Sequence, residues 1–213
     1  MPPKKIPTVI FDLGGVYFTD GTDRAITVIS EKYMINRQAV LDIFYGEVGM
    51  AYRENKISID KFWKTAKQSW KIESESTDEL IRIWHEGYVP IEGVNEIIVQ
   101  LKAIGIETLY LSGTTKERVE YLENKYQFLQ YFDDGVFTFT VGVRKPNILP
   151  YQSVLQKTSN VPHNCIVVDN RVEYVIPAKV LGMHAILFTD ADSLRAKLNH
   201  TFAILGWRVK QLC

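Results

Sequence analysis

A short apolar run, Thr8-Val9-Ile10-Phe11, ends at Asp12 and is followed at once by Gly14 and Gly15. Such a run reads as a buried strand, and a carboxylate at its C-terminal tip stands where open parallel sheets gather ligands. The glycines let backbone approach closely or adopt φ values that side chains disfavour. Three more polar positions occupy comparable places. Ser112 follows Thr108-Leu109-Tyr110-Leu111, Asp169 follows Cys165-Ile166-Val167-Val168, and Lys145 stands just before a helix. Taken singly, Asp12 could cap a turn, and Ser112 or Lys145 could face solvent. Together they supply a carboxylate, a hydroxyl, an ammonium and a second polar pair, the set that phosphoryl transfer to a side chain needs. Asp12 would attack phosphorus and form an acyl phosphate that water then cleaves. Ser112 and Gly113, ahead of a helix, would take phosphoryl oxygens, and Lys145 would hold nucleophile and phosphate together. Mg²⁺ prefers oxygen ligands, so Asp12, a backbone carbonyl and the Asp169/Asn170 pair would suit it.

The elements that must position these groups alternate from about residue 92. Val94, Ile97, Ile98, Leu101 and Ile104 recur at helical spacing, with Gly105 as the stop. After the second strand, Thr114 and Glu117 predict a capping box for a helix carrying Val119, Leu122 and Tyr126. Val136 to Phe139 reads as a third strand and Ile148 to Lys157 as a helix. A helix over about 174–181 tolerates Pro177 only in its first turn. Ala185 to Phe188 reads as the fifth strand. Strands joined by helix-length crossovers predict an α/β fold, a doubly wound parallel Rossmann-like sheet of five core strands. Between the first strand and residue 92, segments 22–34, 36–46, 58–70 and 76–86 read as helices, with Trp63, Trp70 and Trp84 as their own small core. The expected division is an α/β core, 1–18 and 92–213, and an inserted α-helical cap, 19–91, overhanging the nucleophile strand.

Composition narrows the function classes. Of 213 residues, 46% are hydrophobic, ample for a packed core, and 25 basic side chains balance 25 acidic ones. No basic patch implies nucleic acid as a partner, and no stretch has the length of a membrane span. Cys165 and Cys213 make neither a disulfide framework nor a metal spacing and suit a reducing, cytoplasmic setting. His85, His163, His184 and His200 share no ligand spacing. A monomer or homodimer would serve equally.

Four segments, TVIFDLGGV, LYLSGTT, VGVRKPNILPY and CIVVDNRVEYVIPAKVLGMHAILF, resemble the four motifs of the haloacid dehalogenase-like (HAD) hydrolases. Within that superfamily the chain is most similar to sugar-phosphate phosphatases and to the N-terminal phosphatase domain of epoxide hydrolases. The resemblance implies Asp12 as nucleophile, Ser112 and Lys145 as phosphate ligands and Mg²⁺ as cofactor. It also exposes three departures. Gly14 replaces the usual second aspartate, so it offers a carbonyl but no proton. Asn170 stands where a direct Mg²⁺ ligand is expected, and Tyr174 replaces a supporting Asn or Asp. The leading expectation is a Mg²⁺-dependent phosphatase for a small phosphorylated metabolite. A degenerate binding protein and a metal-independent 2-haloacid dehalogenase remain as alternatives. Arg144 could touch substrate or face solvent, Tyr151 is expected to pack beneath the site, and Glu47, Tyr52 and Arg53 could reach the crevice.

Overall fold

Val9 and Phe11 enter one buried cluster with Ile166 and Val168, while Ile10 enters another with Leu109, Leu111 and Val167. Side chains alternate across a strand, so two cores mean a sheet covered on both faces. The computed structural model describes residues 6–207 and 209–213. Its strands are β1 (Thr8–Phe11), β2 (Glu107–Ser112), β3 (Asp134–Phe137), β4 (Cys165–Asp169) and β5 (His184–Leu187). All pair in parallel in the order β3-β2-β1-β4-β5. The helices are α1 (Gly21–Lys32), α2 (Arg37–Tyr45), α3 (Glu47–Arg53), α4 (Ile59–Trp70), α5 (Thr77–Glu86), α6 (Val94–Ala103), α7 (Lys116–Tyr126), α8 (Thr138–Val141), α9 (Ile148–Leu155), α10 (Val172–Val180) and α11 (Ala191–Ile204). Helices α6 and α11 cover one face of the sheet; α9 and α10 cover the other. Among the described residues no helix is long and apolar enough to cross a membrane.

Helices α1 to α5 lie between β1 and β2. Asp20, Asn36, Ser58 and Ser76 each accept backbone N–H bonds at the start of α1, α2, α4 and α5, which satisfies donors a helix start otherwise leaves open. The interior of this insert is aromatic. Phe44 and Trp84 ring centres lie 4.6 Å apart, and Phe62, Trp63 and Trp70 pack around them. The chain leaves and rejoins the core through one narrow neck. There Thr19 N–H donates to Val89 (2.8 Å) and Ile91 N–H to Tyr17 (2.8 Å). Gly21 and Gly87 touch so closely that a Cβ on Gly21 would sit 2.7 Å from the Gly87 carbonyl carbon.

Several boundaries differ from the sequence expectation. The capping box does not form: α7 begins at Lys116 without a side-chain cap, and Glu117 instead accepts from the Tyr52 hydroxyl of α3 at 2.7 Å. The third strand starts two residues earlier than expected, because Gly135 lies against the Tyr110 ring where any Cβ would fall within 2.4 Å. Phe139 belongs to α8 rather than the strand. Helix α10 begins at Val172, so Pro177 lies inside it, beyond the first turn, and removes one internal hydrogen bond. Helix α3 was not expected as a separate element.

His85 of α5 is buried beside Tyr121 of α7, with ring centres 5.2 Å apart. Burial first, and the Arg118 charge second, pull its pKa down to about 3. The unfolded chain therefore binds an extra proton as pH falls below about 6.5, so this group costs stability progressively between there and about pH 3. In His85→Gln the acid limb of stability should flatten by up to about 1.4 kcal/mol per pH unit in that window. Urea titrations of both proteins from pH 7 to pH 4 would read this. Parallel acid limbs would show that His85 is not held neutral.

Candidate active site

Strand register brings the polar tips together. Phe11 is level with Tyr110 on one side and Val168 on the other, which puts Asp12 between Leu111 and Asp169 at the sheet's C-terminal edge. Asp12 N–H continues the ladder to the Val168 carbonyl at 2.8 Å. Lys145 enters from the segment between α8 and α9. Its Nζ lies 3.0 Å from Asp12 Oδ1 and 2.6 Å from Asp169 Oδ2, and it donates to the Leu111 carbonyl at 3.2 Å. Leu13 N–H donates to Asp12 Oδ1 (2.8 Å), and Arg171 N–H to Asp169 Oδ1 (3.0 Å). Asp12, Ser112, Lys145 and Asp169 are all buried. Tyr151 packs beneath them, its hydroxyl donating to the Tyr174 carbonyl, and the Tyr174 ring lies 4.9 Å from Lys145 Nζ.

Asn170 lies over the loop that follows Asp12. Gly15 has φ +84°, and a Cβ there would fall 2.1 Å from Asn170 Nδ2, so both its conformation and its neighbour demand glycine. Asn170 Oδ1 is buried without a hydrogen-bond partner. Asn170 lines the cleft together with Asp12 and Gly14, and oxygen donors of these kinds are those that Mg²⁺ prefers. Both oxygens of Asp169 already carry bonds, so its contribution there is charge.

Above these groups is a cleft of about 110 Å³. Its floor includes Asp12, Gly14, Ser112, Gly113, Lys145 and Asn170, and Thr22, Tyr45, Arg53 and Tyr88 roof it from the insert. Arg144 and Arg53 both line it, whereas Tyr52 turns away to Glu117, and Glu47 is not among the lining residues. Sequence reasoning missed Tyr88 and Arg118. Arg118 had a signal, since it shares a helix face with Leu122 four residues on.

Residues 6–182 match the family model of haloacid dehalogenase-like hydrolases. The chain belongs to this family. It is 29% identical over 142 residues to an uncharacterized protein of Dictyostelium discoideum, covering 65% of this chain and 61% of that one. It therefore spans less than two thirds of that relative. It is 23% identical to a sesquiterpene phosphatase of Aspergillus oryzae, over 85% of this chain and 89% of the relative. A HAD family enzyme from Bacteroides thetaiotaomicron, solved with magnesium and inorganic phosphate, shares the fold with a TM-score of 0.75 at 16% identity, over 87% of this chain and 96% of that one.

In this HAD-like chain two carboxylates share one ammonium, leaving a surplus negative charge out of water. Burial pushes the Asp12 carboxyl up to about 7; Lys145 opposes the rise and Asp169 adds to it. Burial alone would lower Lys145, but the two carboxylates hold it firmly protonated. The folded protein thus holds more protons at Asp12 than the unfolded chain does between about pH 4 and pH 7. This difference in bound protons stabilises the fold fully below that window and is lost as pH rises through it. Asp12→Asn leaves a one-to-one Lys145–Asp169 pair, so its stability relative to wild type should rise from pH 4 to pH 8. A gain of about 1–3 kcal/mol at the upper end is expected from denaturant titrations. A variant less stable than wild type at pH 8 would mean the Asp12 charge is not in surplus.

Proposed function

We propose that the protein is a Mg²⁺-dependent phosphatase of small phosphomonoesters, working through an aspartyl-phosphate on Asp12. The observation that carries this reading is the Lys145 ammonium held between Asp12 and Asp169, with Ser112 beside them on the cleft floor. A carboxylate can attack a phosphate dianion only where cations offset their repulsion. Lys145 does so from beneath, and its bond to the Leu111 carbonyl fixes it there. The Ser112 hydroxyl and Gly113 backbone would take phosphoryl oxygens. Asp12 forms the new O–P bond while the ester P–O bond breaks and the leaving oxygen departs as alkoxide or aryloxide, to be protonated by solvent water; a second water then attacks the acyl phosphate, which releases inorganic phosphate and restores the carboxylate. Mg²⁺ held by Asp12, the Gly14 carbonyl and Asn170 would supply Lewis-acid charge to the phosphoryl oxygens and keep Asp12 ionised. Roofing of the cleft by the insert supports reading it as a cap that excludes water.

Phosphate release from a phosphomonoester panel should require both Mg²⁺ and Asp12, falling at least about 10³-fold in Asp12→Asn. Silence across the panel with folded protein would favour a ligand-binding member without turnover. Asn170→Asp should tighten Mg²⁺ binding, read by calorimetry.

Gly14 brings no proton for the leaving oxygen, so aryl phosphates should turn over faster than alkyl phosphates of similar size. A Cβ at Gly14 would meet only the Tyr88 ring at 3.6 Å, ordinary contact, so the backbone there leaves room for the first carbon of the side chain in Gly14→Asp. That variant should narrow the aryl–alkyl gap by about tenfold or more. An unchanged gap would show that leaving-group protonation does not limit the reaction.

A further inference from the structure

The lining of the cleft carries more positive charge than one phosphoryl group explains. Arg53, Arg118, Arg144 and Arg171 all line it, against Asp12 on the floor and Asp20 at the side. Two of the four have acidic partners elsewhere: Arg144 lies 3.6 Å from Glu54, and Arg171 2.7 Å from Glu173. Asp20 spends an oxygen capping α1. Arg53 is tied to the Phe44 and Gly49 carbonyls, which neutralise no charge. Arg118 is 2% exposed, yet its Nε and Nη2 have no hydrogen-bond partner. Its guanidinium is clamped between two rings, 4.1 Å from the Trp84 centroid and 4.5 Å from that of Tyr88. That clamp fixes where its donors point without satisfying them.

A buried guanidinium with open donors is costly unless something arrives to bond it. Nor do its neighbours help. Burial, then the Arg118 charge, and further down the Arg144 charge, pull Arg53 down to about 10, the mark of cations crowded without an anion between them. Lys145 serves the phosphoryl position from below, while Arg118 is a separate lining residue with two buried donors unpaired.

We propose that Arg118, supported by Arg53, forms a second anion subsite in the cleft, and that the substrate is a compact phosphomonoester bearing a second anionic group, a carboxylate or a phosphate. This rests on the phosphatase reading for the identity of the first group. Arg118 presents the paired N–H geometry that suits either oxyanion. At roughly 30 Å³ per water in the liquid, the cleft's 110 Å³ corresponds to about four waters, so the ligand it encloses is compact.

The test compares three probes: glycerol 3-phosphate, with one anionic group; 3-phosphoglycerate, which adds a carboxylate; and 1,3-propanediol bisphosphate, which adds a phosphate. Turnover is measured on wild type, and binding by calorimetry on Asp12→Asn with Mg²⁺. At least one doubly anionic probe should show a KM and a Kd tenfold or more below those of glycerol 3-phosphate, and which one does so names the second group. Arg118→Met should collapse that preference toward one, while Arg118→Lys, which keeps the charge, should retain part of it. Turnover of all three with equal KM values would overturn the subsite and leave the phosphatase standing. Selective binding without turnover would keep the subsite and overturn the phosphatase. Failure to bind any of the three would overturn both.

Discussion

One ammonium serves two buried carboxylates, and this imbalance organises the site. Lys145 has to reach Asp12 and Asp169 together, which it can do only because β1 and β4 are neighbours in register. That adjacency depends on the central placement of β1, paired with β2 on one side and β4 on the other, and so on helices covering both faces. The floor is then short of positive charge when Asp12 is ionised. What the site needs from above is cationic, and the guanidiniums lining the cleft answer that need, as the proposed Mg²⁺ would.

The roof is placed by aromatic packing rather than by charge. Trp84 belongs to the interior of the insert, yet its other face carries the Arg118 guanidinium of α7. Tyr52 and His85 reach α7 as well. One core helix therefore holds both the insert and a cleft cation, so docking of the insert and shaping of the cleft are a single packing problem.

Much of this was legible in the sequence. β1 and β4 announce themselves as apolar runs because both sheet faces are covered, and Asp12, Ser112 and Asp169 mark strand tips by breaking such runs. The insert's helices were readable where a Ser, Asn or Asp cap begins them. Helix α3 was not, since it starts at Gly46 with no side-chain cap and packs only Gly49, Tyr52 and Arg53 inward. The start of β3 was hidden because Asp134 and Gly135 are poor strand formers whose place is fixed by the Tyr110 ring. Nor could sequence reveal that Glu117 would be claimed by Tyr52 across 65 positions, or that Arg118 would lie between two rings. Pairings between distant segments are created by the fold and leave no local trace.

The contact of Gly21 with Gly87 also bears on how the chain finds its structure. Pairing β1 with β2 requires closing a loop that contains the whole insert. For an unstructured excursion of about 65 residues, the entropy of closure would be on the order of 4 kcal/mol before any sheet bond repaid it. With the insert folded, its ends touch at Gly21 and Gly87, and what remains between the two parallel strands is a single helical crossover through α6. A long-range pairing thereby becomes a nearly local one, so the helical unit that covers the cleft also shortens the search that assembles the sheet beneath it.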